Sequence, residues 1–156
     1  MPLEKKLAQL LIKHKKTLTL AESCSGGFLA HTITNIAGSS RFFKAGFITY
    51  SNESKTRLLK VPKQYITRYG SVSNQVASKM AQGARQLMKT DFSLSITGIA
   101  GPGGGSKLKP VGFTYIAINT KSNKNICKQY LFKGNRLSIK RQTARQALKL
   151  LLTFLP

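Results

Sequence analysis

The residues able to do chemistry cluster around two small-residue turns. Glu22-Ser23-Cys24-Ser25-Gly26-Gly27 lies near the start, and Gly98-Ile99-Ala100-Gly101-Pro102-Gly103-Gly104-Gly105 lies past the middle. Each follows a short apolar run that reads as a buried strand, and the first also opens a helical segment. A strand that ends in such a turn offers free backbone N–H groups to an anion. The hydroxyls of Ser23, Ser25, Thr97 and Ser106 stand beside those groups. Two such turns point to a ligand with a phosphate or a developing negative charge.

Lys55 falls one turn into the helix expected after Tyr50. It reads either as a solvent-exposed helix lysine, like most lysines of this chain, or as a general base whose charged form is disfavoured by burial and the positive end of that helix. Ser39 and Ser40 sit in a turn before Arg41, where serines commonly satisfy backbone groups. Cys24 reads either as a nucleophile at a helix N-terminus or as a small buried thiol packed behind the turn. Arg136 follows Gly134-Asn135 and has the fork geometry to clamp a phosphate.

The scarce residues exclude chemistries. The only acids are Glu4, Glu22, Glu53 and Asp91, and the only histidines are His14 and His31. A pair of carboxylates flanking a glycosidic bond is not expected. Neither is a metal site, which needs three or four convergent His, Cys or acidic ligands. A Ser-His-Asp triad would have to recruit a histidine from the first or second helix. The loop from Gly98 to Gly105 lacks the Gly-Lys-Ser/Thr ending of a P-loop and the spacing of a dinucleotide fingerprint. Hydroxyls, lysines and backbone N–H groups remain, which favours a hydroxyl nucleophile activated by lysine or tyrosine.

The chain has 156 residues, enough for one domain with a proper core. It holds 26 Lys and Arg against 4 Asp and Glu, a formal charge of +22. The basic residues spread from Lys5 to Lys149 without a dense block. That favours a basic solvated surface over a dedicated nucleic-acid face, with salt-sensitive, non-specific adhesion to DNA expected either way. No apolar run reaches the length of a membrane span, and Met1 to Lys16 does not read as a secretory signal. A cytoplasmic protein with reduced Cys24 and Cys127 is the expectation.

The positioning elements follow from periodicity. Leu3, Leu7, Leu10 and Leu11 predict a first helix, and Thr17 to Ala21 a strand. A helix from Ser25 to about Ile36, a strand from Ala45 to Tyr50 and a helix from Asn52 to Leu59 capped by Ser51 come next. Pro62 ends that helix. Ser73 caps a helix whose stripe is Val76, Ala77, Met80, Ala81, Ala84, Leu87 and Met88. Strands are predicted at Phe92 to Ile96, Val111 to Ile118 and Ile126 to Phe132, the last two as a hairpin, and a final helix at Leu137 to Phe154. Alternating helices and strands followed by a hairpin imply an α/β domain, a mixed sheet with helices on its faces. Ligands of such sheets sit beyond the strand ends, where the two turns fall.

Read in order, these motifs resemble the CinA C-terminal domain family. The first turn, Ile36-Ala37-Gly38-Ser39-Ser40, Tyr50-Ser51-Asn52-Glu53-Ser54-Lys55, Gly70-Ser71-Val72-Ser73, and Thr97 with its glycine loop through Lys109-Pro110-Val111-Gly112 carry the likeness over about Leu3 to Leu152. The resemblance implies a three-layer α/β/α sandwich in a single domain, a homo-oligomer, and no cofactor or catalytic metal. It further implies hydrolysis of the carboxamide of nicotinamide mononucleotide by a Ser/Lys mechanism, in salvage of pyridine nucleotides. By motif it nominates Ser40 as nucleophile, Lys55 as base and Tyr50 as proton relay, with Ser23 the rival nucleophile. Thr97, Ser25, Gly26, Gly27, Gly98, Gly101, Gly103 and Gly104 would hold substrate or oxyanion, and Arg136 the phosphate or ribose. The alternatives are a basic nucleic-acid-associated module and a nucleotide-binding member without turnover. Two departures stand out: Ser25 replaces a threonine, and Asn135 replaces an aspartate that could orient Arg136. The larger domain often found ahead of this one is absent, so a stand-alone form is expected.

Overall fold

The computed structural model describes all of Met1–Pro156. In chain order the elements are α1 (Leu3–Lys13), β1 (Leu18–Glu22), α2 (Phe28–Thr34), β2 (Phe43–Ile48), α3 (Asn52–Leu59), α4 (Lys63–Tyr69), α5 (Asn74–Met88), β3 (Phe92–Gly98), β4 (Phe113–Thr120), β5 (Asn125–Leu131) and α6 (Arg136–Leu152). A single 3-10 turn, Ser39–Arg41, precedes β2. The five strands form one mixed sheet in the order β2-β1-β3-β4-β5. β2, β1 and β3 run parallel, and β4 and β5 add an antiparallel hairpin. No helix is long and apolar enough to cross a membrane.

Strand alternation divides the core between two faces. Leu18, Leu20, Leu94 and Ile96 meet Leu7 and Leu11 of α1, Leu29 and Ile33 of α2, and Ala144, Leu148 and Leu151 of α6. On the opposite face Ala21 joins Leu59, Val76, Met80 and Ala84, and Ala117 meets Ala77 and Ala81. The result is the three-layer α/β/α sandwich, with α1, α2 and α6 on one side and α3, α4 and α5 on the other.

The polar face of β3 sets where α5 begins. Ser93 and Ser95 donate to the Ala81 and Ala77 carbonyls at 2.5 and 2.6 Å. Two strand residues advance about 6.7 Å and four helical residues about 6 Å, so alternate hydroxyls meet successive turns. One step further, Thr97 donates to the Ser71 carbonyl at 2.8 Å, just ahead of the Ser73 cap of α5. The start of α5 is thereby tied to the end of β3. α2 starts close after β1, and α3 close after β2. Three strand ends and three helix starts gather at one edge of the sheet, as open α/β sheets require of a ligand site.

Close packing of α3 on α5 depends on Gly83. A Cβ there would lie 1.9 Å from the Leu59 carbonyl oxygen. Alanine normally improves a helix interior by about 1 kcal/mol over glycine. Here the sign reverses: Gly83→Ala should destabilise by about 2 kcal/mol, lowering the melting temperature by roughly 4–8 °C. Thermal unfolding followed by circular dichroism measures it, and an unchanged or higher midpoint would contradict this packing.

Candidate active site

Lys55 decides the site. It projects from α3, is 1 % exposed, and its Nζ lies 2.7 Å from the Thr49 carbonyl and 3.0 Å from Ser23 Oγ. No carboxylate pairs with it; the ion pairs are Lys16–Asp91 and Arg57–Glu53, both elsewhere. Burial pushes the Lys55 ammonium from 10.5 down to about 8, with Cys24 acting in the opposite direction. A buried lysine without a counter-ion yields a neutral amine within reach of neutral pH. Its lone pair then faces a serine hydroxyl at hydrogen-bond distance.

Ser23 owes its place to the sheet. It follows β1 directly, and its N–H donates to the Ile96 carbonyl of β3 at 3.0 Å. With Cys24, Tyr50, Lys55, Thr97 and Arg136 it lines a cleft of about 180 Å³. The N–H groups of Cys24, Ala100 and Gly101 donate to no other residue, and Cys24 and Ala100 border this cleft. Buried main-chain donors are rarely left unpaired, so such groups are available to a ligand oxygen. Burial raises the Cys24 thiol to about 11, which keeps it protonated and of little use as a nucleophile.

Ser40 is not part of this constellation. It lies exposed in the turn before β2, and its carbonyl accepts from Lys44 Nζ at 3.3 Å. β1 and β2 are parallel, with Leu18 opposite Phe43 and Glu22 opposite Ile48. Ser40 therefore sits at the starting end of the strands and Ser23 at the finishing end, separated by the length of β2, about 17 Å. The serine placed against the lysine is Ser23.

The first glycine turn is also reassigned. Glu22, 1 % exposed, accepts from Ser25 Oγ at 2.7 Å and from the Leu29 and Ala30 N–H groups at 2.9 and 3.0 Å. The anion at the N-terminus of α2 is the protein's own carboxylate. Ser25 orients Glu22, and Gly26 and Gly27 carry the chain into α2 with φ of 59° and 96°. None of these three lines the cleft. The hydroxyl kept at Ser25 thus has a structural task.

The second turn lies where it was expected. Thr97 and Gly98 line the narrow cleft, and Gly98, Gly101, Gly103 and Gly104 line a wider one of about 420 Å³ that adjoins it. Thr97 spends its proton on Ser71, which leaves it able to accept but not to donate to an oxyanion. Tyr50 lines the narrow cleft, where its hydroxyl accepts from Arg136 Nη2 at 3.0 Å and is not hydrogen-bonded to Lys55. Arg136 Nη1 donates to the Gly101 carbonyl at 2.6 Å. Asn135 caps α6 by accepting the Ser138 N–H at 2.9 Å, so the departure from aspartate leaves Arg136 positioned by Tyr50 and Gly101.

Ser71, Val72 and Ala100 line both clefts and had no role from the sequence. For Ser71 and Val72 the signal is the Ser73 cap, which anchors the Gly70–Ser73 segment at the start of α5, and Ala100 lies within the second turn. Nowhere do three His, Cys, Asp or Glu side chains converge.

The comparisons agree with this architecture. The CinA C-terminal domain model matches residues 1–155. A Caldicellulosiruptor bescii protein with a competence-damage inducible name is 48% identical over 96% of this chain, which spans 36% of that longer protein. The Escherichia coli K12 protein named nicotinamide-nucleotide amidohydrolase PncC is 42% identical over 97% of this chain and 92% of its own length. Among solved structures, an Escherichia coli CinA-superfamily protein has a TM-score of 0.93 at 36% identity, covering 97% of this chain and 88% of that one. A competence/damage inducible protein from Agrobacterium tumefaciens has a TM-score of 0.92 at 36% identity, covering 98% and 96%. With the matched residues running through both turns and every strand, this chain belongs to the CinA C-terminal domain family.

Proposed function

We propose that this protein hydrolyses the carboxamide of nicotinamide mononucleotide to nicotinate mononucleotide and ammonia, without a metal, through an acyl-enzyme on Ser23. The observation that carries the reading is a buried, unpaired lysine amine 3.0 Å from Ser23 Oγ. The 42% identical relative named as a nicotinamide-nucleotide amidohydrolase, matched over 92% of its length, supplies the substrate.

The steps follow from the residues. Neutral Lys55 takes the Ser23 proton as Oγ attacks the amide carbon. The tetrahedral oxygen takes up the negative charge and is met by free main-chain donors, the Cys24 N–H first among them. The Lys55 ammonium returns its proton to the departing nitrogen, which leaves as ammonia and leaves an ester on Ser23. Water then attacks that ester while Lys55 takes a proton from it. Collapse releases the carboxylate, and Lys55 gives its proton back to Ser23. The amine cycles between two states, which its value near 8 permits at modest cost.

The pH dependence tests the assignment. The base is competent only when deprotonated, so kcat/KM for ammonia release should rise about tenfold per pH unit below pH 8 and level off above it. The assay is run with a chelator present, and activity is expected to persist. A flat profile from pH 6 to 9 would remove the lysine base, and loss on chelation restored by added metal would overturn the metal-free mechanism.

A further inference from the structure

The narrow cleft holding Ser23 opens into the wider one, and Ser71, Val72, Gly98, Ala100 and Arg136 border both. Beyond Lys55, the only charged side chains in either lining are Arg136 and Lys109, and neither lining contains a carboxylate. Arg136 bridges Gly101 and Tyr50. Lys109 lines the wider cleft and not the narrow one.

We propose that Lys109 is the specificity-determining residue that meets the phosphate of a ribonucleotide substrate, so that the protein separates nucleotide from nucleoside. This rests on the hydrolase reading above and assigns to the wider cleft the half of the substrate that does not react.

The position of Lys109 is built. Its N–H donates to Ser106 Oγ at 3.1 Å, and the Ser106 N–H donates back to its carbonyl at 2.8 Å. Its Nζ donates to the Tyr69 carbonyl at the end of α4 at 2.8 Å. An ammonium has three donors, so two remain for a ligand. The side chain is half-buried, unlike its exposed neighbour Lys107. Gly70 lies against it: an ideal Cβ there would fall 3.1 Å from Nζ, and its φ is 82°. The same cleft is lined by Ala100, Gly101, Gly103 and Gly104, whose N–H groups donate to no acceptor in the protein. Donors and a lysine charge with no acid among them suit a dianionic phosphate.

The test is the ratio of kcat/KM for nicotinamide mononucleotide to that for nicotinamide riboside, followed by ammonia release. The native protein should favour the nucleotide. Lys109→Met should cut the ratio roughly 10–100-fold, through KM of the nucleotide, and Lys109→Arg should restore most of it. If both substrates fall together and the ratio holds, Lys109 only ties the loop to α4 and the inference is overturned. Calorimetric binding of the two compounds to native protein and to Lys109→Met separates this inference from the hydrolase reading. Should the native protein release no ammonia from either compound, that reading fails. Nucleotide binding weakened only in Lys109→Met would still uphold the subsite, and equal binding would overturn it.

Discussion

Ser23→Ala should abolish ammonia release, lowering kcat by about 10⁴–10⁶-fold, while Ser40→Ala stays within about twofold of the native protein. The contrast is sharp because the two serines occupy opposite ends of parallel strands. Ser23 Oγ stands 3.0 Å from Lys55 Nζ; Ser40 is exposed, next to Arg41 and near Lys44. Removing Oγ at position 23 deletes the attacking atom, and no other hydroxyl is hydrogen-bonded to the lysine. Thr49 lies nearby, but only its carbonyl binds Nζ, and its own hydroxyl is buried without a partner. Fold integrity is not at stake in Ser23→Ala, since the strand bond from the Ser23 N–H to Ile96 is main chain. Single-turnover and steady-state ammonia assays on both variants decide it. An inactive Ser40→Ala beside an active Ser23→Ala would reverse the assignment.

What the sequence revealed of this site depended on how local the governing physics was. The helix Asn52–Leu59 with its Ser51 cap agrees residue for residue, because the cap and the first-turn acid act within one turn. The α5 stripe is legible for the same reason. α4 escaped notice: Lys63–Tyr69 has seven residues, none buried, and no apolar stripe to read. β2 runs from Phe43 to Ile48 and not to Tyr50, because its end is set by pairing with β1, a partner distant in sequence. The anion-binding character of the first turn is legible in the sequence, but not that the protein's own Glu22 occupies it. The anion at the start of α2 is Glu22, seven and eight residues before the Leu29 and Ala30 donors that it meets. Motif order nominates Ser40, and motif order does not say at which end of a strand a serine lies. Burial of Lys55 is likewise a property of three elements meeting, and one lysine among so many carries no local mark of it.

Lys55→Met should be inactive and more stable than the native protein at pH 7. Holding a lysine at about 8 when its ordinary value is 10.5 means that the charged form is disfavoured in the fold by about 3 kcal/mol. Methionine fills a similar volume without the charge. It leaves the Thr49 carbonyl without its donor, which costs about 1 kcal/mol, so a net gain of about 1–2 kcal/mol is expected below pH 8. The sign with pH is fixed by proton counting. Between about pH 8 and 10.5 the unfolded chain holds the lysine proton and the folded one has released it, so native stability rises with pH across that window. The advantage of Lys55→Met must therefore be largest at pH 7 and shrink toward pH 10. Urea unfolding of both proteins at pH 7 and 10 measures it. A variant less stable at pH 7, or a gap that does not close with pH, would mean that the amine is solvated or paired and not a neutral base. A gain in stability together with lost turnover would show that the buried amine is kept at the expense of the fold, as expected of a group retained for its chemistry.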